Sequence, residues 1–366
     1  MKITFILPSI GVGGGVRVVL EYANHLIENG HEVSVIYPSI LTSQLFIRLK
    51  PEWYFIKKLA YKMIKPLKSF SKPRYVEIDW FNLNAQLIEV PTLDEKYIPD
   101  ADIIIATWWE TAFYVNSYNE KKGRKFYLIQ HYETWGGPKN LVHDTYMLNL
   151  NKIVIAKWLK KKLIDLGVPD SEIEYIPNGI NFEKFKLTEY IKNRPNQVAM
   201  IFSHVTFKGS SDGIKALEIA KKEVNDLNAV LFGVSTRPHY LPKWINYVHN
   251  PTQEELIEEI YNGSSIYMCS SLAEGWHLPP AEAMACGCAV VSTAIDGVKD
   301  YAIQGKTALL SPPKNPELLS KNLLMLLKNE DIRLKIAYAG HDNIKNFNWE
   351  KATNLLENAF ISQVTK

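Results

Sequence analysis

The chain opens with an apolar run, Lys2 to Pro8, followed by glycines at 11, 13, 14 and 15, apolar positions at helical spacing to about Asn29, and a second run from Glu32 to Tyr37. That succession is the pattern of a strand, a tight turn, an amphipathic helix and a second strand. Further runs at Asp102 to Thr107, Lys125 to Gln130 and Lys152 to Ala156 alternate with helical patterns. Continuous apolar strands of this kind predict a parallel sheet covered by helices on both faces. A second series starts near Gln197, with strands expected at Val198 to Ser203, Ala229 to Gly233, Ser265 to Cys269 and Ala289 to Thr293, and helices around 210–225, 252–262 and 280–286. The expected fold is α/β, two doubly wound domains in tandem, with the carboxyl ends of their strands around a shared cleft where ligands bind. Ile176-Pro177-Asn178-Gly179-Ile180-Asn181 is turn chemistry, and the polar stretch Lys186 to Asn196 behind it reads as the interdomain connection. The expected division is 1–190, 191–345, and a last segment, 346–366, forming a helix that crosses back to the first domain.

Composition narrows the classes. A length of 366 residues suits about two domains, and 46% apolar with 22% charged residues excludes intrinsic disorder. Cys269, Cys286 and Cys288 are odd in number and lack paired metal-ligand spacing, which excludes a disulfide scaffold or zinc ribbon and suits a reducing, cytoplasmic setting. No apolar stretch approaches the roughly 20 residues of a membrane helix. The apolar opening segment has no small-residue cleavage site and reads as a buried strand. The net charge of +3 hides an uneven distribution: residues 48–74 hold nine basic residues and one acid, +8, leaving −5 elsewhere. The basicity is local, so no nucleic-acid partner is expected. Within it Ile56, Leu59, Ala60, Met63, Ile64 and Leu67 recur at helical spacing with Lys57, Lys58, Lys62, Lys65 and Lys68 largely between them. Such a helix either packs its apolar face on the first domain or lies peripherally on an anionic membrane surface.

Two segments carry the candidate chemistry. Gly11-Val12-Gly13-Gly14-Gly15-Val16-Arg17 is either an anion cradle at a helix N-terminus or a tight turn required by strand-helix packing. It is no dinucleotide fingerprint, because Val16 stands where the third glycine belongs and the second strand ends without an acidic ribose ligand. The stronger segment is Ala273-Glu274-Gly275-Trp276-His277-Leu278-Pro279-Pro280-Ala281-Glu282-Ala283-Met284-Ala285-Cys286-Gly287, after a strand ending near Cys269. Prolines suit the first turn of a helix, so Glu282 is expected on that turn and Glu274 in the loop before it. Two carboxylates so placed can grip the two ends of one elongated ligand, with helix amides facing phosphates between them. A nucleotide-diphosphate sugar has that layout.

This segment resembles the signature of glycosyltransferase family 4, in which two glutamates have seven residues between them in E-G-(F/W)-G-x-P-x-x-E-A-M-A-x-G; Glu274, Gly275, Trp276, Pro279, Glu282, Ala283, Met284, Ala285 and Gly287 match it. The glycine loop, Pro177-Asn178-Gly179, Lys208-Gly209 and Phe347-Asn348-Trp349-Glu350 are similar to further family landmarks. The resemblance implies a GT-B fold of two Rossmann-like domains facing a central cleft, and a retaining, metal-independent hexosyltransferase that takes a nucleotide-sugar donor and needs no cofactor. It implies a glycan or lipid-linked acceptor in bacterial surface polysaccharide synthesis, and the Gln130 to Glu133 segment resembles that of transferases building rhamnose polymers. Glu282 would bind ribose, Glu274 the transferred sugar, and the amides of Gly275, Trp276, His277 and Leu278 the sugar and phosphates, with Gly13, Gly14 and Gly15 also on the donor side.

Lys208 would be the catalytic cation. The family's arginine in G-R-x-x-x-x-K-G is missing from Phe202-Ser203-His204-Val205-Thr206-Phe207-Lys208-Gly209, so His204, Arg17 or Arg237 is expected to supply charge. His277 replaces the signature's second glycine. In the loop Tyr127 to Gly137, His131 or Glu133 could take or orient the acceptor proton, with His131 favoured for positioning and Tyr132 and Glu133 on the acceptor side. Asp100-Ala101-Asp102 precedes its strand, so no metal site is expected. The competing class is a catalytically silent GT-B partner subunit of a glycosyltransferase complex.

Overall fold

The computed structural model describes residues 1–41 and 72–364, in two compact units: Met1–Pro177 with Trp349–Lys366, and Asn178–Asn348. The amphipathic segment expected within residues 48–74 lies almost wholly outside the described residues.

The first unit is built on an eight-stranded sheet of β1 (Lys2–Ile6), β2 (Glu32–Pro38), β3 (Arg74–Tyr75), β4 (Gln86–Val90), β5 (Ile103–Ala106), β6 (Arg124–Ile129), β7 (Asn151–Val154) and β8 (Ile173–Tyr175) in the order β3-β4-β2-β1-β5-β6-β7-β8. Every pairing is parallel except β3 on β4. The second unit carries β9 (Gln197–Ile201), β10 (Asn228–Gly233), β11 (Ile245–His249), β12 (Ile266–Cys269), β13 (Ala289–Thr293) and β14 (Ala308–Ser311) in the order β11-β10-β9-β12-β13-β14, all parallel. Central strands are buried along their whole length, as in Ile103 to Ala106 and Ala289 to Thr293, which is why they read as unbroken apolar runs.

Both sheets are doubly wound, and each has one place where the strand order reverses: between β1 and β5 in the first, between β9 and β12 in the second. Loops leaving the carboxyl ends of two such strands diverge to opposite sides and leave a crevice. The loop after β9 holds Lys208 and the loop after β12 holds Glu274, so the pairing of these strands starts the two loops side by side at one end of the sheet.

The units divide at Pro177 and Asn178, earlier than the 190/191 division expected from polarity. The polar connection packs on the second unit: Ile180 N donates to Phe347 O at 3.0 Å, the Phe185 ring lies 6.2 Å from that of Tyr261, and the buried Arg194 guanidinium donates to Asn262 Oδ1 at 2.8 Å. The last helix, Trp349–Val364, packs on the first unit, with Trp349 edge-on to Tyr22 at 5.0 Å, Phe360 on Phe126 at 4.9 Å, and Glu357 2.7 Å from His31.

Candidate donor site and the loop after β6

In the second unit the loops after β9 and β12 are stitched together: Leu272 N donates to Phe207 O at 2.6 Å and Ser270 Oγ to Lys208 O at 3.2 Å. Gly209 makes the approach possible. Its φ is +60°, and an added Cβ would stand 2.1 Å from Ser270 O. Lys208 Nζ then donates to Glu274 Oε1 at 2.7 Å, Ser271 Oγ to the same oxygen at 2.8 Å, and His277 Nε2 lies 3.5 Å from it. Burial pushes the Glu274 carboxyl upward, but the charges of His277 and Lys208 and the hydrogen bonds from Lys208 and Ser271 outweigh it and hold the group below its ordinary range. It is therefore an ionised carboxylate at neutral pH, although its residue is only 9% exposed.

The helix Leu278–Ala285 follows, with Pro279 and Pro280 in its first turn. Prolines have no N–H, so the amides at this helix end come from the residues before them, Gly275 to Leu278. Glu282 does not lie on the first turn, as the spacing suggested. The helix starts at Leu278, which puts Glu282 on the second turn, where it is buried and accepts from Tyr261 Oη at 3.2 Å. The Trp276 ring is 1% exposed and packs on Tyr301 and Phe347 at 4.9 and 5.5 Å. Only its backbone can serve a ligand. Leu278 is half-buried.

The expected extra charges are distributed differently. His204 is exposed on the loop after β9, edge-on to Phe202 at 5.0 Å. Arg237 is spent on backbone carbonyls, donating to Ile245 O at 2.9 Å and Pro242 O at 3.0 Å, so it is not the missing cation. Arg17 sits in the first unit, 3.8 Å from Glu21.

Around the glycine loop the helix Gly14–Glu28 begins at the second of the three glycines. Among the described residues a Cβ added at Gly13 or Gly14 meets nothing within 4 Å, and one at Gly15 meets the Gln130 amide from 3.5 Å. Close packing among the described residues therefore does not by itself require glycine at these positions. Gln130 Nε2 donates to Gly15 O at 3.0 Å and ties this loop to the end of β6.

Beyond Gln130, the His131 ring stands edge-on to Trp135 and Trp158 at 6.2 and 6.1 Å, with Nδ1 3.1 Å from Tyr132 O. Tyr132 Oη meets His143 Nε2, and Lys162 Nζ lies over its ring at 4.9 Å. Glu133 does not face the acceptor side as expected. It is 1% exposed, and its Oε2 accepts from Trp109 N at 2.7 Å and Tyr127 Oη at 2.9 Å. Burial pushes its carboxyl up to about 8 against those hydrogen bonds, so it is protonated at neutral pH and props the loop from below. Asp102 accepts from Lys2 N at 2.7 Å and Asp100 pairs with Lys122 at 2.8 Å, both structural contacts. Among the described residues no cluster of three or more His, Cys, Asp or Glu could hold a metal ion, and no helix is long and apolar enough to cross a membrane. Ser271, Tyr261 and Cys269 belong to the site and have no signal in residue spacing; only their place at strand and helix ends could have suggested them.

The family description "Glycosyl transferases group 1" matches residues 181–342, and "Glycosyltransferase Family 4" matches residues 12–184. An uncharacterized glycosyltransferase of Haemophilus influenzae is 25% identical over 354 residues, covering 92% of this chain and 93% of its own. A second, from Methanocaldococcus jannaschii, is 25% identical over 225 residues, and that match spans only 57% of either protein. Among solved structures, HepE of Anabaena in complex with UDP-glucose aligns over 99% of this chain and 100% of its own with a TM-score of 0.72 at 14% identity, a likeness of fold.

Proposed function

This chain belongs to glycosyltransferase family 4, and on that footing we propose that it moves a sugar from a nucleotide-diphosphate sugar to a hydroxyl of a glycan or lipid-linked acceptor. One observation carries the reading: a buried carboxylate, Glu274, kept ionised by His277 at 3.5 Å and Lys208 at 2.7 Å where the sheet order reverses and a helix begins. Glu282 takes the ribose hydroxyls, and the amides of Gly275 to Leu278 and exposed His204 face the diphosphate. The UDP-glucose bound to HepE supports a nucleotide sugar as the donor class.

As the bond from the anomeric carbon to the diphosphate oxygen breaks, negative charge grows on the diphosphate and positive charge on the sugar. Lys208 meets the first and the Glu274 carboxylate the second, in a buried setting where both interactions are stronger than in water. The acceptor oxygen then bonds to the anomeric carbon on the face the diphosphate leaves, its proton passes to the departing phosphate, and configuration is retained. His131, braced by two tryptophans, orients the acceptor hydroxyl. No metal takes part. A hexose is the transferred sugar, with rhamnose the first to try, and surface polysaccharide is the product class. Residues 48–74 bring the enzyme to an anionic cytoplasmic membrane face.

Incubating the purified chain with UDP-, GDP- and dTDP-sugars tests this. Nucleotide release with one base, lost in Glu274→Ala, is the expected result, and the anomeric configuration of the product reports retention. Tight nucleotide binding with no release from any donor would favour the silent partner subunit.

A further inference from the structure

His277 stands where the family signature has glycine, and its backbone shows why glycine suits the place. Its φ is +57° and ψ 80°, the left-handed region that side chains other than glycine's avoid. Packing holds it there: the side chain is 1% exposed, the carbonyl accepts from Tyr301 Oη at 2.7 Å, and Nδ1 lies 3.3 Å from Cys269 Sγ. Nε2 is buried without a hydrogen-bond partner among the described residues, and Glu274 Oε1 is 3.5 Å from it. A strained imidazole with one nitrogen anchored and the other facing a carboxylate supplies something a glycine does not.

The other cation at that carboxylate is Lys208. Under the function proposed above, on which this inference rests, the lysine is drawn to the diphosphate when donor binds. Glu274 then loses its nearest cation, and a buried carboxylate left without a cation is strongly disfavoured. Unrelieved, that penalty would keep Lys208 on Glu274 and away from the donor. We propose that His277 is the stand-in cation for Glu274, a positioning residue that releases Lys208 to the diphosphate while keeping the carboxylate ionised.

The groups acting on the imidazole are Cys269 at the end of β12 and Glu274 and Lys208 from the two loops; Tyr301, held neutral by burial, binds the His277 carbonyl instead of the ring. Burial pushes the His277 pKa down, but Cys269 and Glu274 overcome it and hold it above the ordinary value, with Lys208 opposing. Cys269 is raised by burial and drawn down to about 7 by His277 and neighbouring hydrogen bonds. His277 thus keeps its proton to higher pH than an ordinary histidine and loses it as pH rises through its elevated pKa.

Calorimetry of the full chain with UDP, GDP and dTDP, from about pH 6 to about pH 9, tests this in wild type, Lys208→Ala, His277→Gly, His277→Asn, Glu274→Gln and the His277→Gly/Glu274→Gln double variant. Glycine and asparagine both tolerate the left-handed backbone, so two independent variants keep the fold. Expressed as the ratio to His277→Gly, which cancels titration of the diphosphate itself, wild-type affinity should be about tenfold higher near pH 6 and converge as pH rises. His277→Asn should behave like His277→Gly. With Glu274→Gln as background, His277→Gly should have no effect, because no carboxylate competes for the lysine. A ratio that does not change with pH, or an equal loss with and without Glu274, overturns the inference and leaves the donor assignment standing. No binding of any of the three nucleotides, or binding unchanged in Lys208→Ala, overturns the donor assignment and this inference with it.

Discussion

Glu133 and Glu274 both follow a strand of a parallel sheet, and both are buried, at 1% and 9% exposure, yet they carry opposite charge states at neutral pH. Burial favours the protonated form in each. The difference lies in the donors. Glu133 receives hydrogen bonds from a tyrosine hydroxyl and a backbone amide, which are too weak to offset desolvation, and its carboxyl stays up near 8. Glu274 receives an ammonium and faces an imidazole, and its carboxyl is held low. Neutral donors turn a buried acid into a structural strut; cationic donors make it a fixed charge that can act on a ligand. The loop after β6 therefore offers shape, and the loop after β12 offers charge.

The sharpest way to break this contrast is to remove the cation. Lys208→Ala should lower turnover on the order of 10²-fold, measured in a single-turnover assay with the donor that the wild type accepts; unchanged turnover would mean that the charged side of the molecule is not where chemistry occurs. Glu282→Ala should weaken nucleotide binding by about 1.5 kcal/mol, a little over tenfold, with turnover nearly intact, whereas Glu274→Ala should chiefly depress turnover; identical kinetic signatures would erase the distinction between the two glutamates.

On the neutral side, Glu133 titrates near 8 when folded and near the ordinary glutamate value when unfolded, so its contribution is complete at acid pH. That contribution declines as pH climbs between the two values, by at most about 1.4 kcal/mol per unit, and is gone above about 8. Glu133→Gln keeps acceptors for Trp109 and Tyr127 and should flatten this part of the pH dependence of the melting temperature. If the wild type is already flat there, Glu133 is ionised in the fold and the contrast fails. The smallest expected effect is none: activity should persist in EDTA, and loss restored by manganese would assign the positive charge to a metal instead of Lys208.

Much of this fold is legible in the sequence because central strands buried on both faces must be apolar throughout. Nine of the strands appear as such runs, from Lys2–Ile6 to Ala289–Thr293. The missed ones are short or carry polar residues at the sheet margin, such as Arg74–Tyr75 and Ile245–His249, where one edge is exposed. The signature from Glu274 to Gly287 is equally legible, since its glycines and prolines answer to backbone geometry. Side-chain direction is not. Glu133 and Trp276 look like ligand contacts in the sequence because acids and aromatics in strand-end loops often are, but only the packed fold shows both turned inward. The pairing of His277 with Cys269 was equally hidden, because it joins a strand end to a loop across the start of a helix.

The return of Trp349–Val364 to the first unit makes the second unit an insertion in the first. A ribosome therefore finishes the inserted unit before it delivers the helix that completes the outer one. Until that helix emerges, Tyr22 and Phe126 lack the ring contacts made by Trp349 and Phe360, and the first unit waits in an incomplete state with apolar surface uncovered. The half that was begun first is thus completed last.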